Sequence, residues 1–61
     1  MDQETKDTIS KITQAIWKLR DTRALLNVIG GMEEYVNTID NTIANLDMEL
    51  DEIWTLERER A

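Results

Sequence analysis

Several residue types are missing from this 61-residue sequence, which contains no cysteine, histidine, proline or phenylalanine and only two glycines. Without cysteine no disulfide can form, and without cysteine and histidine the commonest ligands of zinc and other transition metals are absent. The missing histidine also removes the usual activating base for a serine or threonine nucleophile, and the Glu-x-x-His motif of helical di-iron sites. We therefore expect no metal, no cofactor and no enzymatic activity.

Long apolar runs are also absent. The longest apolar cluster, Leu25 to Ile29, is interrupted by Asn27 and is far shorter than the ~20 residues needed to span a membrane. The first residues are acidic and no apolar run follows them, which argues against a signal or transit peptide. The net charge of −6 also differs from the basic character of membrane-surface helices. We expect no membrane association and a cytoplasmic location.

The composition that is present, 41% hydrophobic and 33% charged, is typical of helical bundles and coiled coils rather than of disordered chains. A chain of 61 residues forms one domain, covering residues 1–61. Chains this short bury only about 60% of their unfolded surface, and usually need disulfides, metals or association to be stable. With the first two excluded, association with itself or with another protein is predicted.

The two glycines, Gly30 and Gly31, are adjacent and lie at the middle of the chain. Glycine adopts positive φ at little cost, so a pair of glycines favours a tight turn between two helices. Apolar residues recur at alternating spacings of three and four on both sides of this pair, which is the heptad pattern of packed helices. The apolar positions are Ile9, Ile12, Ile16, Leu19 and Leu26 before the turn, and Met32, Val36, Ile39, Ile43, Leu46, Leu50 and Ile53 after it.

The two apolar stripes are mirror images about Gly31. Ile12 and Leu50, like Ile16 and Leu46, have residue numbers that sum to 62, so folding at the turn places such residues side by side. This pattern predicts an all-α antiparallel helical hairpin, with one helix over about residues 3–28, a turn at 29–31 and a second helix over about residues 32–59. The same register places Asp2 opposite Arg60 at the open end of the hairpin, as a possible ion pair.

The two edges of the predicted hairpin differ in polarity. One edge, at heptad positions e, is charged and includes a predicted Arg20–Asp40 pair. The other, at positions g, consists mainly of small or apolar residues and is suited to contact with a second chain. This small and apolar edge predicts a homodimeric four-helix bundle. The candidate interface residues on the g edge are Ala15, Thr22, Ile29, Tyr35 and Leu56.

A second apolar stripe points away from the predicted seam and consists of Trp17, Ala24, Leu25 and Val28. Contiguous exposed apolar surface that contains tryptophan often marks a binding site. Binding of a protein partner here is one interpretation. The alternative is that this stripe, and not the g edge, forms the homodimer interface.

Arg23 is the one charged residue in the apolar repeat and is predicted to lie level with Ile39. A long side chain at such a position can lay its methylene stem on the neighbour and extend its guanidinium to Asp40 or to water. Alternatively, a single polar residue in a helical core can fix the register or the oligomer number.

The motifs of enzymes are missing, so function is predicted only by class. We expect a small acidic adaptor, inhibitor or assembly factor that self-associates and binds an unidentified protein. A dimer of such hairpins also resembles, in length, turn position and helical pattern, the Rop proteins that regulate plasmids by binding RNA. That resemblance implies RNA binding on a bundle face, for which Lys11 and Lys18 are the candidates. An acidic mimic of nucleic acid, or a structural coiled-coil subunit, are further alternatives. The acidic net charge makes direct nucleic-acid binding the less favoured class.

Overall fold

The computed structural model of this protein describes residues 1–60, which form two helices: α1 over Gln3–Ile29 and α2 over Glu33–Arg60. The helices run antiparallel, and the described chain measures 47 × 16 × 10 Å. The long dimension is close to the ~40 Å that a 27-residue helix spans, and the smallest is about one helix diameter. The predicted all-α helical hairpin is confirmed, with each helix ending one residue beyond its predicted end.

The start of α1 is fixed by an aspartate cap. Asp2 has extended backbone angles, and its carboxylate oxygen accepts a hydrogen bond of 2.9 Å from the backbone N–H of Thr5. Capping satisfies one of the backbone donors that have no partner within the first turn. The side chain and backbone N–H of Thr5 hold the pKa of Asp2 below its ordinary value.

The turn between the helices depends on the two glycines. Gly30 has φ 79° and ψ 155°, and Gly31 has φ 70°, a region that side chains other than glycine rarely adopt. A Cβ atom at either position would meet no other group within 4 Å. Glycine is therefore required here by the backbone conformation and not by lack of space. The Gly30 N–H donates to the Leu26 carbonyl, and the Val36 N–H donates to the Met32 carbonyl, which closes the two helix ends.

The seam between the helices follows the predicted heptad pattern. Among residues 1–60, Ile16 and Val36 alone are buried, with 4% and 8% of their surfaces exposed. The other seam positions are half-buried, because no further layer covers them. These half-buried positions are Thr5, Ile9, Ile12, Leu19, Arg23 and Leu26 on α1, Met32 just before α2, and Ile39, Ile43, Leu46, Leu50, Ile53 and Glu57 on α2.

The polar contacts between the helices differ from the predicted pairs in two places. Asp40 accepts from the Nε of Arg23 at 2.6 Å and not from Arg20, because Arg23 projects from the seam toward the same edge. The predicted Asp2–Arg60 pair is absent from the ion pairs among residues 1–60. Asp2 is engaged as the helix cap, and Arg60 instead contacts Glu57 within its own helix.

Candidate interaction surfaces

The surface of residues 1–60 offers several open hollows. Within residues 1–60 there is no group of three or more Asp, Glu, His or Cys residues that could hold a metal ion. No helix of the same described part is both long and apolar enough to cross a membrane. The distinctive features of this surface are instead apolar.

Large hydrophobic side chains are far more often exposed than buried. Against the two buried residues of the seam, nine large hydrophobic side chains of the described chain have 47% or more of their surface exposed. Isolated exposed hydrophobic residues are ordinary, but contiguous patches of them indicate binding surfaces. Six of the nine belong to the two surfaces predicted from the sequence: Trp17, Leu25, Val28, Ile29, Tyr35 and Leu56.

The g edge is one of these surfaces. All eight of its residues are exposed, and Glu49 is the only one that is charged. Pairs of g residues from the two helices lie at four successive heights along the hairpin. From the open end to the turn, these pairs are Thr8 with Leu56, Ala15 with Glu49, Thr22 with Thr42, and Ile29 with Tyr35.

The three threonines of the g edge are less polar than their sequence implies. The hydroxyl of Thr8 donates to the Glu4 carbonyl at 3.0 Å, that of Thr22 to the Lys18 carbonyl at 3.0 Å, and that of Thr42 to the Thr38 carbonyl at 2.9 Å. A hydroxyl donor that is satisfied within its own helix need not lose a bond to water when another chain covers it. Contact on this edge therefore carries a reduced desolvation cost.

Hollows lie at both ends of the g edge. At the open end, a hollow of about 520 Å³ is lined by Thr5, Thr8, Ile53 and Leu56 together with four charged residues, Glu4, Glu57, Glu59 and Arg60. At the turn end, a hollow of about 500 Å³ is lined by Leu26, Met32, Tyr35, Thr38 and Ile39. Half-buried residues of the seam form part of both hollows. A chain placed on the g edge would complete the burial of that seam.

The e edge lies on the other side of the seam and is charged. Its residues include Lys6, Arg20, Glu33, Asp40 and Asp47, and Asp40 is held by Arg23. Charged groups lose hydration when they are covered, and this cost often exceeds the gain from pairing. The difference between the edges, predicted from the sequence, is thus present in the fold.

The second predicted surface, which we name the Trp17 patch, consists of Trp17, Ala24, Leu25 and Val28 on α1. All four residues are exposed, and Trp17, Leu25 and Val28 have 60%, 66% and 85% of their surfaces accessible. These residues lie on the side of α1 away from α2. Within one hairpin the Trp17 patch and the g edge are therefore two separate surfaces, which approach each other only near the turn.

The position of Arg23 agrees with the first of its two predicted roles, in which the guanidinium extends from the seam to Asp40. Its guanidinium reaches Asp40, and 42% of the Arg23 side chain and 45% of the Asp40 side chain are exposed. An ion pair this accessible to water contributes little to stability, typically ~0–1 kcal/mol. Its role in fixing the register or the oligomer number stays a prediction.

Some features of the surface were not predicted from the sequence. Trp54 and Met48 are exposed, and Trp54 lines a small hollow of about 250 Å³ with Met1, Glu57 and Arg58. The sequence did carry a signal for Trp54, which is an apolar residue at an e position on an otherwise charged edge. The internal bonds of the g-edge threonines had no signal beyond the known tendency of helical threonine to bond the carbonyl four residues earlier.

Comparison with protein-family models, with curated proteins and with solved structures gave no match to this chain.

Proposed function

We propose that this protein is a non-enzymatic helical hairpin that self-associates and acts by binding another protein, as an adaptor, inhibitor or assembly factor. The observation that supports this proposal is the excess of exposed over buried large hydrophobic side chains. A single hairpin with two buried residues has too little core for independent stability, and a chain of this size must cover more apolar surface to stay folded.

The two apolar surfaces suit two different contacts. The g edge adjoins half-buried residues of the seam and runs along both helices, so we assign self-association to it. The Trp17 patch lies on one helix only and holds a tryptophan, the residue type most enriched at binding hot spots. We assign the protein partner to the Trp17 patch.

Capture of partners from the native host tests this assignment. The unmodified chain should retain a protein partner after nuclease treatment, and the double variant Trp17→Ala, Val28→Glu should lose it while keeping its mass and helicity. The matched control is Gln14→Glu, which adds a negative charge to the same exposed side of α1. If the double variant instead dissociates into monomers, the Trp17 patch is the self-association surface. Capture that depends on nucleic acid would favour the RNA-binding class.

A further inference from the structure

The two helices of the hairpin carry opposite net charges. α1 has five basic and three acidic residues, whereas α2 has two basic and nine acidic residues. When two hairpins meet on their g edges, each helix gains a new neighbour from the other copy. Contact between α1 and the other copy's α2 brings opposite charges together, whereas contact between two copies of α2 brings like charges together.

The position of the two-fold axis decides which neighbour each helix gains. An axis parallel to the helices places both turns at the same end and sets each α1 beside the α2 of the other copy. An axis perpendicular to the helices places the turns at opposite ends and sets α1 beside α1 and α2 beside α2. We refer to these as the same-end and opposite-end arrangements. Both are closed dimers of the kind that homo-oligomers favour.

The same-end arrangement matches the residues of the g edge. A two-fold axis parallel to the helices keeps every residue level with its own copy, so each g pair meets the same pair in the other hairpin. Ile29 then meets Tyr35 of the second copy, an apolar contact at the turn end. Glu49, the only charge of the edge, meets Ala15, whose small side chain leaves its carboxylate room to reach water.

One pair of residues beside the g edge favours the same arrangement, whereas at the open end Glu4 lies level with Glu59 of the second copy, a like-charged pair. Lys11 and Glu52 flank the edge on α1 and α2, and neither takes part in the ion pairs formed within residues 1–60. In the same-end arrangement Lys11 lies level with Glu52 of the second copy, and two such pairs form in each dimer. In the opposite-end arrangement with the hairpins level, Lys18 lies beside the Lys18 of the second copy.

We propose that this protein forms a same-end dimer through its g edge, with α1 of each copy packed along α2 of the other. The proposal rests on the proposed self-association and adds its geometry. It has a consequence for binding, because the two copies of α1 then lie at diagonally opposite corners of the bundle. Each Trp17 patch faces outward at its own corner, so two protein partners can bind one dimer without contact between them.

The same geometry separates the basic residues of the two copies. Lys11 and Lys18 of one chain lie away from those of the other, so the dimer presents no shared basic face to a nucleic acid. The opposite-end arrangement would instead bring the four lysines to one face of the bundle, as an RNA-binding function requires. The arrangement of the dimer therefore distinguishes two of the candidate functions.

Distances between spin labels identify the arrangement. A nitroxide at Glu34→Cys reports on the turn end, and one at Met48→Cys reports on the middle of α2; both residues are exposed. Diagonal helices of a bundle lie about 14 Å apart, so we expect label distances below about 30 Å at both positions. In the opposite-end arrangement the labels at Glu34→Cys would lie about 35 Å apart along the bundle axis alone, while those at Met48→Cys would stay close.

The possible outcomes distinguish the arrangement of the dimer from self-association itself. Short distances at both positions support the proposal. A long distance at Glu34→Cys with a short one at Met48→Cys overturns the same-end arrangement and leaves self-association intact. Absence of any distance between chains at both positions would show a monomer, and would overturn the proposed function as well.

A charge exchange tests the same contact without labels. Lys11→Glu should weaken the dimer about three- to tenfold, because two weak surface pairs are lost in each dimer. Adding Glu52→Lys should restore the dissociation constant. The control adds Glu34→Lys in place of Glu52→Lys, which gives the same net charge away from the g edge and should restore nothing. Equal weakening in all three variants would overturn the Lys11–Glu52 contact between copies.

Discussion

Arg23 is the one charged residue within the apolar repeat of the seam. Its ion pair with Asp40 crosses from α1 to α2 at 2.6 Å, yet both side chains stay more than 40% exposed. Since exposed pairs contribute little, the position gives up apolar burial for a weak polar contact. A single charged residue at such a position is a candidate for specifying the register or the oligomer number.

Replacing Arg23 with leucine should therefore raise stability. Arg23→Leu loses a pair worth at most ~1 kcal/mol and gains apolar burial against Ile39, for a net gain of about 1 kcal/mol. This corresponds to a rise in Tm of roughly 4–8 °C for a chain of this size. Circular dichroism measures the transition, with Arg23→Ala as the control that removes the pair without adding burial.

Sedimentation of the same variant tests the second role of Arg23. If the residue specifies oligomer number, Arg23→Leu should yield a mixture of oligomers. A single species of unchanged mass would leave the exposed ion pair with Asp40 as the only role of Arg23. A lower Tm would contradict the predicted gain in stability.

Asp2 makes stability depend on pH through the N-terminus of α1. Its pKa lies below the ordinary value of 3.8, chiefly because the side chain and then the backbone N–H of Thr5 form hydrogen bonds to its carboxylate. A lowered pKa in the folded state stabilises the fold above the ordinary value, and this contribution is lost as the pH falls through the lowered pKa.

The comparison with Asp2→Asn isolates that contribution. Asparagine also caps helices but carries no charge, so the Tm of the unmodified chain should exceed that of Asp2→Asn at neutral pH. The difference should shrink as the pH falls below the ordinary pKa of Asp2 and through its lowered pKa in the folded state. Thermal unfolding at a series of pH values measures it, and a difference that stays constant down to pH 2 would refute the role of the Asp2 charge.

At the scale of the helices, the register of the seam permits a direct chemical test. Cysteines at Ile12→Cys and Leu50→Cys should crosslink readily within one chain, because residues whose numbers sum to 62 are level in the hairpin. The matched control pairs Ile12→Cys with Ile43→Cys, which is displaced by about 10 Å along α2 and should not form a bridge. Equal crosslinking by both pairs, or crosslinks only between chains, would show that the register is wrong.

The g edge offers a second test at this scale. Ala15→Glu places a charge at the centre of the proposed interface and should lower the dimer fraction and the helicity together, since the proposed association would stabilise the hairpin. The control Gln14→Glu adds the same negative charge at the preceding residue, on an exposed face of α1 away from the g edge. It should change neither the dimer fraction nor the helicity. Sedimentation and circular dichroism on the same samples give both quantities. A dimeric, fully helical Ala15→Glu variant would remove the g edge from the interface.

The hairpin itself could be predicted because two strong local signals agree. The adjacent Gly30 and Gly31 indicate the turn, and the apolar repeat with its mirror symmetry indicates the register of the seam. The helix ends were predicted to within one residue. The Arg23–Asp40 pair was given only as one option, because the edge from which a long side chain emerges depends on its rotamer and on the hydrogen bonds of its neighbours. The predicted facing of Arg20 and Asp40 gave no ion pair, and the possible Asp2–Arg60 ion pair is absent among residues 1–60, where Asp2 caps α1 and Arg60 contacts Glu57.

The candidate surfaces were predictable as positions but not as roles. Heptad analysis placed Ala15, Thr22 and Tyr35 on one edge and Trp17 on the opposite side of α1, and all four are exposed in the fold. The occupant of each surface depends on another molecule, which one chain's sequence does not specify. The threonine bonds and the hollows at both ends of the g edge emerged only from the three-dimensional arrangement.

On the scale of the whole molecule, we propose that a second copy completes this thin hairpin, in which two of residues 1–60 are buried. The most direct test is sedimentation equilibrium combined with circular dichroism over a dilution series. We expect twice the 7.1 kDa chain mass at micromolar concentration, with mass and helicity falling together as the chain is diluted. A chain that keeps its full helicity as a monomer at micromolar concentration would contradict this account.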